Sequence, residues 1–305
     1  MSVILNNGLL KRESFVIGRF EVLEPTINIL LVNLMPNRLQ TEKQFTRLLS
    51  HLPINVRVTF AVPSEHEIRH DTDAIMTNYV TLKDIWHKKF DGMIVTGAPV
   101  DRMKFEQIDY WDEFRHLLEW RKTHVTESLF ACWAAYGAGY AERNFPVKAL
   151  SEKISGVFQA SQIFKRHSLL KDLENISMPQ SRYFTAPNFG VARRLKVAGD
   201  DILGAFILRD EHVNSTYITG HFEYDTETLE NEYLRDIAID PNTIKPKNYF
   251  YNNKPTNTWQ TYAENFFVNW GELLMEKMTS SRSTIPTLNQ ERNKLGLGTS
   301  QCKYL

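Results

Sequence analysis

Long apolar runs alternate with segments of helical periodicity over the first half of the chain. The run Ile27–Leu34 is almost continuously apolar, which is typical of a strand covered on both faces of a sheet. Met93–Thr96 and Ser128–Ala131 have the same character, whereas Ile108–Arg121 places its apolar residues at helical spacing. This alternation over residues 27–140 predicts an α/β fold with a mostly parallel sheet and helices on both faces.

The second half of the chain is predicted to complete the same domain. Leu195–Ala198 and Ile202–Leu208 predict a hairpin or two adjacent strands, and Tyr217–Thr219 predicts a further strand. A helix is expected over Thr226–Ile237. An apolar stripe from Trp259 to Leu274 then predicts a strongly amphipathic closing helix.

The domain boundaries follow from where these patterns begin and end. Residues 1–25 are expected to form an N-terminal extension, and residues 26–277 a single catalytic α/β domain. Residues 278–305 have few apolar side chains and predict a disordered tail. Within the domain, a capping box at Thr41–Gln44 predicts the start of the first helix.

Composition and charge exclude several classes of protein. The chain has 36 basic and 36 acidic residues, so its net charge favours neither nucleic acid nor an anionic membrane as a partner. No apolar run approaches the roughly 20 residues that a membrane-spanning helix needs. The two cysteines and nine histidines lack the spacing of a zinc site, and no glycine-rich nucleotide loop follows the first strand. We expect a cytoplasmic protein that acts on small molecules and binds no metal.

Cys132 stands where a buried strand meets a helix. Ser128–Ala131 precede it, and the small and aromatic residues from Trp133 onward are typical of a close-packed helix. A side chain at such a turn points up from the edge of the sheet, above the first N–H groups of the helix, which favours a thiolate over a thiol. A buried structural cysteine is the commoner alternative for an isolated cysteine.

His221 and Glu223 lie just after the predicted strand Tyr217–Thr219. Residues two apart in an extended chain point to the same side, so we expect the carboxylate to orient the imidazole while the other ring nitrogen accepts a proton. The parts of a catalytic triad are then present, with Cys132 as the nucleophile. Because ligands bind at the carboxyl ends of parallel strands, Gly97, Cys132 and His221 are expected to share one site.

Short motifs in a fixed order run from about residue 20 to residue 275. They are Met35-Pro36, Val95-Thr-Gly-Ala-Pro99, Asp109-Tyr-Trp111, Phe130-Ala-Cys-Trp133, Ser181-Arg-Tyr183, Thr219-Gly-His-Phe-Glu-Tyr-Asp225, Asn248-Tyr-Phe250 and Asn269-Trp270. Together they resemble the homoserine O-succinyltransferase/O-acetyltransferase family of methionine biosynthesis. The fold of that family is similar to the flavodoxin-like sheet of class I glutamine amidotransferases.

The resemblance implies a role for each candidate residue. It makes Cys132 the nucleophile that becomes an acyl thioester, His221 the proton acceptor and Glu223 its partner. The residues expected to bind the amino-acid substrate are Lys153, Ser181 and Arg235. The backbone groups expected to hold the oxyanion belong to Gly97, Ala98 and Trp133. Acyl-CoA would be a co-substrate rather than a bound cofactor, and a homodimer is expected because such enzymes are commonly dimers.

The chain departs from the usual family pattern at positions expected to line the pocket, namely Tyr136, Gln180 and Phe222. Asp101 stands at the position that sorts acyl donors, typically Gly for succinyl and Glu for acetyl, so acetyl-CoA is expected over succinyl-CoA. Homoserine is the default acceptor. Serine is the alternative, as in cysteine biosynthesis, because the changed residues could reshape the pocket by about one methylene. A glutamine amidotransferase-like cysteine hydrolase and a non-catalytic metabolite-binding module are alternatives from other classes.

Overall fold

The computed structural model describes residues 2–12, 25–68, 71–100, 102–164, 166–187 and 191–283. Its strands are β1 (Val3–Leu5), β2 (Thr26–Val32), β3 (Asn55–Val62), β4 (Val80–Thr81), β5 (Phe90–Val95), β6 (Val125–Ala131), β7 (Lys148–Gln159), β8 (Gln162–Ile163), β9 (Ser177–Thr185), β10 (Lys196–Asp200), β11 (Gly204–Asp210), β12 (Ser215–Ile218), β13 (Phe250–Tyr251) and β14 (Lys254–Pro255). Its helices are α1 (Leu9–Arg12), α2 (Arg38–Leu49), α3 (Thr72–Asn78), α4 (Trp111–His124), α5 (Trp133–Arg143), α6 (Thr228–Ile239) and α7 (Gln260–Ser283).

One large sheet dominates the described part of the chain, in the order β1-β3-β2-β5-β6-β12-β11-β10-β8, with β4 beside β3. The strands from β1 through β12 in this order pair in parallel. The predicted hairpin is present as β10 and β11, which are antiparallel, as are the pairs β11–β12 and β8–β10. The predicted α/β fold with a mostly parallel sheet is therefore confirmed.

Neighbouring residues of the parallel strands point into two separate cores. Ile29 of β2 belongs to the core that α2 and α7 cover, and Leu30 belongs to the core that α4 and α5 cover. Helices thus lie on both faces of the sheet, as predicted. Burial on both faces is the reason that these strands are almost wholly apolar in sequence.

A separate two-stranded sheet, β7 with β9, carries two of the predicted substrate-binding residues. The strands are antiparallel, with Ser155 opposite Ser181, and the register shifts between Ala149 and Ile154. Lys153 falls within this shift, close to the end of the regular pairing. The sheet thereby adds side chains to the site that do not come from the main sheet.

The first long helix does not begin at the predicted capping box Thr41–Gln44. It begins at Arg38, and the side chain of Asn37 accepts a hydrogen bond from the N–H of Gln40 at 3.3 Å. The Thr41 hydroxyl instead donates to the carbonyl of Asn37 at 3.0 Å. The prediction was wrong because asparagine is as good a cap as threonine and lies nearer to the end of β2.

The N-terminal extension contributes to the body of the protein. β1 adds to the sheet beside β3, and α1 follows directly. The carboxylate of Glu42 on α2 accepts hydrogen bonds from the backbone N–H groups of Leu9 at 2.9 Å and Leu10 at 2.7 Å. The buried carboxylate of Glu42 thus pairs the N–H groups at the start of α1, which have no partner within that helix.

The closing helix α7 is longer than its apolar stripe, Trp259 to Leu274, indicated. It runs to Ser283, past residue 278, where the tail was expected to begin. Trp270 is fully buried, and glycine at position 92 of β5 lets it pack closely, because a Cβ there would lie 3.1 Å from the indole ring. Residues 284–305, most of the predicted tail, lie outside the described residues.

Candidate active site

Cys132 occupies the turn between β6 and α5, as predicted. Its backbone has φ 47° and ψ −115°, a region that residues with a Cβ rarely adopt. Its N–H donates to the carbonyl of Ile218 at 2.7 Å, and its carbonyl accepts from the N–H of Ala135 at 3.0 Å. These bonds tie the nucleophile candidate to the end of the adjacent strand β12, just before His221. The side chain is 4% exposed.

His221 and Glu223 interact as predicted, but not through an extended chain. β12 ends at Ile218, and the two residues lie in the turn that follows. His221 Nδ1 is 2.7 Å from Glu223 Oε1, and both side chains are buried. The N–H of His221 donates to the carbonyl of Pro179 at 2.9 Å, which anchors the turn to β9.

Glycine at position 220 permits this approach, because a Cβ there would lie only 2.3 Å from the carbonyl oxygen of Pro179. The prediction identified the pair correctly and its geometry wrongly. A glycine next to histidine is compatible with a strand or a turn, and only contact with β9 selects the turn.

The imidazole of His221 faces the Cys132 sulfur. Burial alone would lower the pKa of His221, but attraction to Cys132 and to the Glu223 carboxylate, together with hydrogen bonds to both, outweighs it and raises that pKa well above its usual value. The ring also stacks on Tyr224, with centroids 4.1 Å apart. The site therefore favours a protonated imidazole placed between Cys132 and Glu223.

The turn after β5 brings Gly97 against both reactive side chains. A Cβ at Gly97 would lie 3.2 Å from the Cβ of Cys132 and 3.4 Å from Cε1 of His221. The Thr96 hydroxyl donates to the carbonyl of Gly97 at 2.9 Å and accepts from the N–H of Leu34 at 2.9 Å, which fixes this turn. Two of the three predicted oxyanion residues, Gly97 and Trp133, are therefore immediate neighbours of Cys132.

A cavity of about 480 Å³ opens above this centre. The predicted site residues that line it are Ala98, Cys132, Lys153, Ser181, His221 and Arg235. Glu223 lies behind the imidazole rather than in the cavity wall. The structure thus joins residues from the ends of β5, β6 and β12, from β7 and β9, and from α6 in one place.

Helix α6 supplies acidic residues that sequence reasoning missed. Glu232 accepts from the hydroxyl of Ser181 through Oε2 and from the hydroxyl of Tyr224 through Oε1, the latter at 2.6 Å. Lys153 Nζ lies 2.7 Å from Asp236 Oδ2 and 3.4 Å from Glu232 Oε2. Burial opposes the charge of Lys153, yet Glu232 and Asp236 outweigh burial and raise the pKa of Lys153.

Arg235 lies on the same face of α6, at the mouth of the cavity. Its Nε and one terminal nitrogen lie 2.9 and 2.7 Å from Asp236 Oδ1, and its side chain is 61% exposed. The sequence signal that could have identified these residues is their spacing. Arg235 and Asp236 follow Glu232 by three and four residues, which puts them on one helix face. The cavity therefore presents cationic and anionic groups together, as a zwitterionic ligand requires.

The three departures from the family pattern lie behind the cavity wall rather than in it. Phe222 is fully buried and packs on Phe266, with ring centroids 5.0 Å apart. Gln180 is buried and accepts from Nε of Arg182 at 2.7 Å, and Tyr136 is also buried. The expectation that these residues line the pocket was wrong, because each is directed into the protein core. Asp101 lies outside the described residues.

A family model described as homoserine O-succinyltransferase matches residues 23–281. The chain belongs to this family. The resemblance drawn from the sequence motifs is therefore confirmed, and the protein is an acyltransferase of the homoserine O-succinyltransferase family.

Curated relatives carry the name homoserine O-acetyltransferase. The one from Leuconostoc mesenteroides subsp. mesenteroides is 99% identical over 305 residues, which cover 100% of both chains. The one from Methanomassiliicoccus intestinalis is 37% identical over 251 residues, or 80% of this chain and 82% of that one. The one from Bacillus subtilis is 36% identical over 255 residues, or 79% and 83%.

Solved structures with little sequence identity share the fold. A glutamine amidotransferase from Thermotoga maritima has a TM-score of 0.56 at 10% identity, covering 83% of this chain and 100% of its own. A putative GMP synthase component from Thermoplasma acidophilum has a TM-score of 0.53 at 10% identity, covering 85% and 99%. These confirm the predicted similarity to the glutamine amidotransferase fold.

Two further properties concern only the described ranges. No helix there is both long and apolar enough to cross a membrane. No group of three or more His, Cys, Asp and Glu side chains there is arranged to hold a metal ion.

Proposed function

We propose that the protein transfers an acetyl group from acetyl-CoA to the side-chain hydroxyl of homoserine through a thioester on Cys132. The proposal rests on one observation. Cys132 and the His221–Glu223 pair lie at the same cavity as the charged residues of α6. Family membership and the names of the curated relatives support the reaction and the acceptor.

In the first half-reaction, the sulfur anion of Cys132 attacks the carbonyl carbon of the acetyl thioester. The backbone N–H groups of Gly97 or Ala98 and of Trp133 hold the oxyanion. The carbon–sulfur bond to CoA then breaks, and the departing thiolate takes the proton of the His221 imidazolium. The exchange of one thioester for another leaves an acetyl group on Cys132 and a neutral His221.

In the second half-reaction, homoserine enters the same cavity. Arg235 and Lys153 pair with its carboxylate, and Glu232 pairs with its ammonium group. The neutral imidazole of His221 removes the hydroxyl proton while the oxygen attacks the thioester carbonyl. Collapse of the intermediate releases O-acetylhomoserine and restores the anion of Cys132 beside protonated His221.

The acetyl donor is supported by the relatives' names and by the residue at position 101. The family resemblance implies that position 101 sorts acyl donors, and the carboxylate of Asp101 in that role would repel the free carboxylate of a succinyl group, at a cost of order 1 kcal/mol or more if partly desolvated. Acylation turns the hydroxyl into a leaving group for later sulfur insertion. This places the product in methionine biosynthesis.

The test is a steady-state comparison of donors and acceptors with the purified protein. We expect CoA release and O-acetylhomoserine from acetyl-CoA and homoserine, with a lower kcat/KM for succinyl-CoA and for serine. Discrimination of one methylene in the acceptor is expected to be about 10- to 200-fold. Equal kcat/KM values for serine and homoserine would contradict the proposed acceptor, and ammonia release from glutamine without CoA release would contradict the proposed reaction.

A further inference from the structure

A second, larger cavity of about 750 Å³ adjoins the catalytic cavity. Arg102, Met103 and Tyr183 line both cavities and form the junction between them. The guanidinium of Arg102 lies over the ring of Tyr183, 4.4 Å from its centroid. The catalytic mechanism assigns no role to this second cavity, although it opens directly toward the cavity that holds Cys132.

The wall of the second cavity is mainly apolar and partly open to solvent. Phe105 stacks on Tyr140, with ring centroids 4.9 Å apart, and Phe184 and Val147 line the same space. The side chains of Met103 and Tyr140 are 41% and 39% exposed. Large apolar side chains exposed around a concave surface are characteristic of a ligand site.

The charged groups of the second cavity favour an anionic or polar ligand end. Arg102 and Lys104 line it, and Glu106 is the carboxylate among its lining residues. Oε1 of Glu106 already accepts a hydrogen bond from the hydroxyl of Tyr140 at 3.0 Å. The balance of these three charges is positive, and the remaining lining residues are mostly aromatic and aliphatic.

We propose that the second cavity binds the pantetheine arm of the acyl-CoA donor, which enters the catalytic cavity past Arg102. The inference rests on the proposed function and adds the place at which the donor binds. A thioester donor needs a channel that ends at Cys132 and leaves the polar pocket around Glu232 free for the amino acid. Its arm carries methylenes and amides that suit an apolar wall with few donors, and the phosphates at the far end of the arm suit the cation Lys104, which lines the second cavity but not the catalytic one.

The test fills the second cavity without touching the catalytic residues. Ala149 is exposed on β7 and lines this cavity, so Ala149→Trp would occupy its space, and tryptophan is well tolerated in strands. Ala192→Trp, at an exposed alanine that does not line either cavity, is the matched control. Both variants and the parent protein are assayed with acetyl-CoA and with S-acetyl-N-acetylcysteamine, a short thioester that lacks most of the arm.

We expect Ala149→Trp to raise the KM for acetyl-CoA about tenfold or more, a loss of roughly 1.4 kcal/mol of binding free energy. It should leave kcat/KM for the short thioester within about twofold of the parent value. The control should change neither. An unchanged KM for acetyl-CoA in Ala149→Trp, or an equal loss with both donors, would overturn the inference.

Calorimetric binding of free CoA separates this inference from the proposed reaction, because it requires no turnover. Weaker CoA binding by Ala149→Trp than by Ala192→Trp supports the site even if no acetyl transfer is observed. Equal CoA binding by the two variants rejects the site even if the protein acetylates homoserine.

Discussion

At the scale of single residues, the backbone of Cys132 determines where the sulfur is presented. A non-glycine residue at φ 47° and ψ −115° costs of order 1–3 kcal/mol and persists only where the surrounding structure enforces it. The hydrogen bonds of Cys132 to Ile218 and Ala135 provide that enforcement. In this conformation the side chain of Cys132 lies within hydrogen-bonding reach of His221, so the fold maintains the contact on which the proposed chemistry depends.

Glu223→Gln tests the role of charge at His221, because the amide oxygen can still accept from Nδ1 while the negative charge is removed. We expect kcat/KM for acetyl-CoA to fall roughly 10²- to 10⁴-fold. Attraction to Glu223 helps to raise the pKa of His221, so its loss should lower that pKa. The high-pH limb of the kcat/KM profile, where the imidazolium is lost, should therefore move to lower pH.

The pH profile of the parent protein is the reference for this prediction. Thermal unfolding of Glu223→Gln, measured in parallel, shows whether the fold is kept. A fall in activity with an unmoved high-pH limb would contradict the electrostatic role and leave only a positioning role.

At the scale of elements, helix α6 forms one wall of the cavity above Cys132. Its residues Glu232, Arg235 and Asp236 share a face directed at Lys153 of β7 and Ser181 of β9. Leu234, on the same helix, is 56% exposed and does not line the catalytic cavity. One helix therefore offers both residues that line the cavity, to which we assign acceptor binding, and a matched position for control.

Glu232→Gln should weaken homoserine binding because it removes the negative charge that pairs with the ammonium group. We expect the KM for homoserine to rise about tenfold or more, equivalent to roughly 1.4 kcal/mol. In a ping-pong reaction, kcat/KM for acetyl-CoA reports only the first half-reaction and should stay within about twofold of the parent value. Leu234→Ala should change neither constant. Equal losses for both substrates in Glu232→Gln would contradict a role in acceptor binding.

At the scale of the whole molecule, the sequence was most informative where strands are buried on both faces. β2, β5 and β6 were predicted because burial on both faces requires continuous apolar runs. The sheet of β7 and β9 was not predicted, because β7 is exposed along much of its length and lacks a hydrophobic period. Only the fold shows that this exposed strand carries Lys153 into the site.

The same contrast holds within the candidate site. Cys132 and His221 were found because their positions at strand ends follow from local pattern and from the rule that parallel strands end at one edge. Glu232 and Tyr224 were missed because their place in the site depends on contacts between elements: Glu232 accepts hydrogen bonds from both Ser181 of β9 and Tyr224. Phe222 was placed in the pocket because it departs from the family pattern, although the turn directs its side chain into the core, against Phe266.

The most direct test of the account is intact-protein mass spectrometry after mixing with acetyl-CoA in the absence of homoserine. We predict a mass gain of one acetyl group, mapped to Cys132, that disappears when homoserine is added. Cys302→Ser removes the other cysteine of the chain and should keep the adduct, whereas Cys132→Ala should lose it together with activity. Active protein that remains unmodified under these conditions, or an adduct confined to Cys302, would contradict the thioester mechanism.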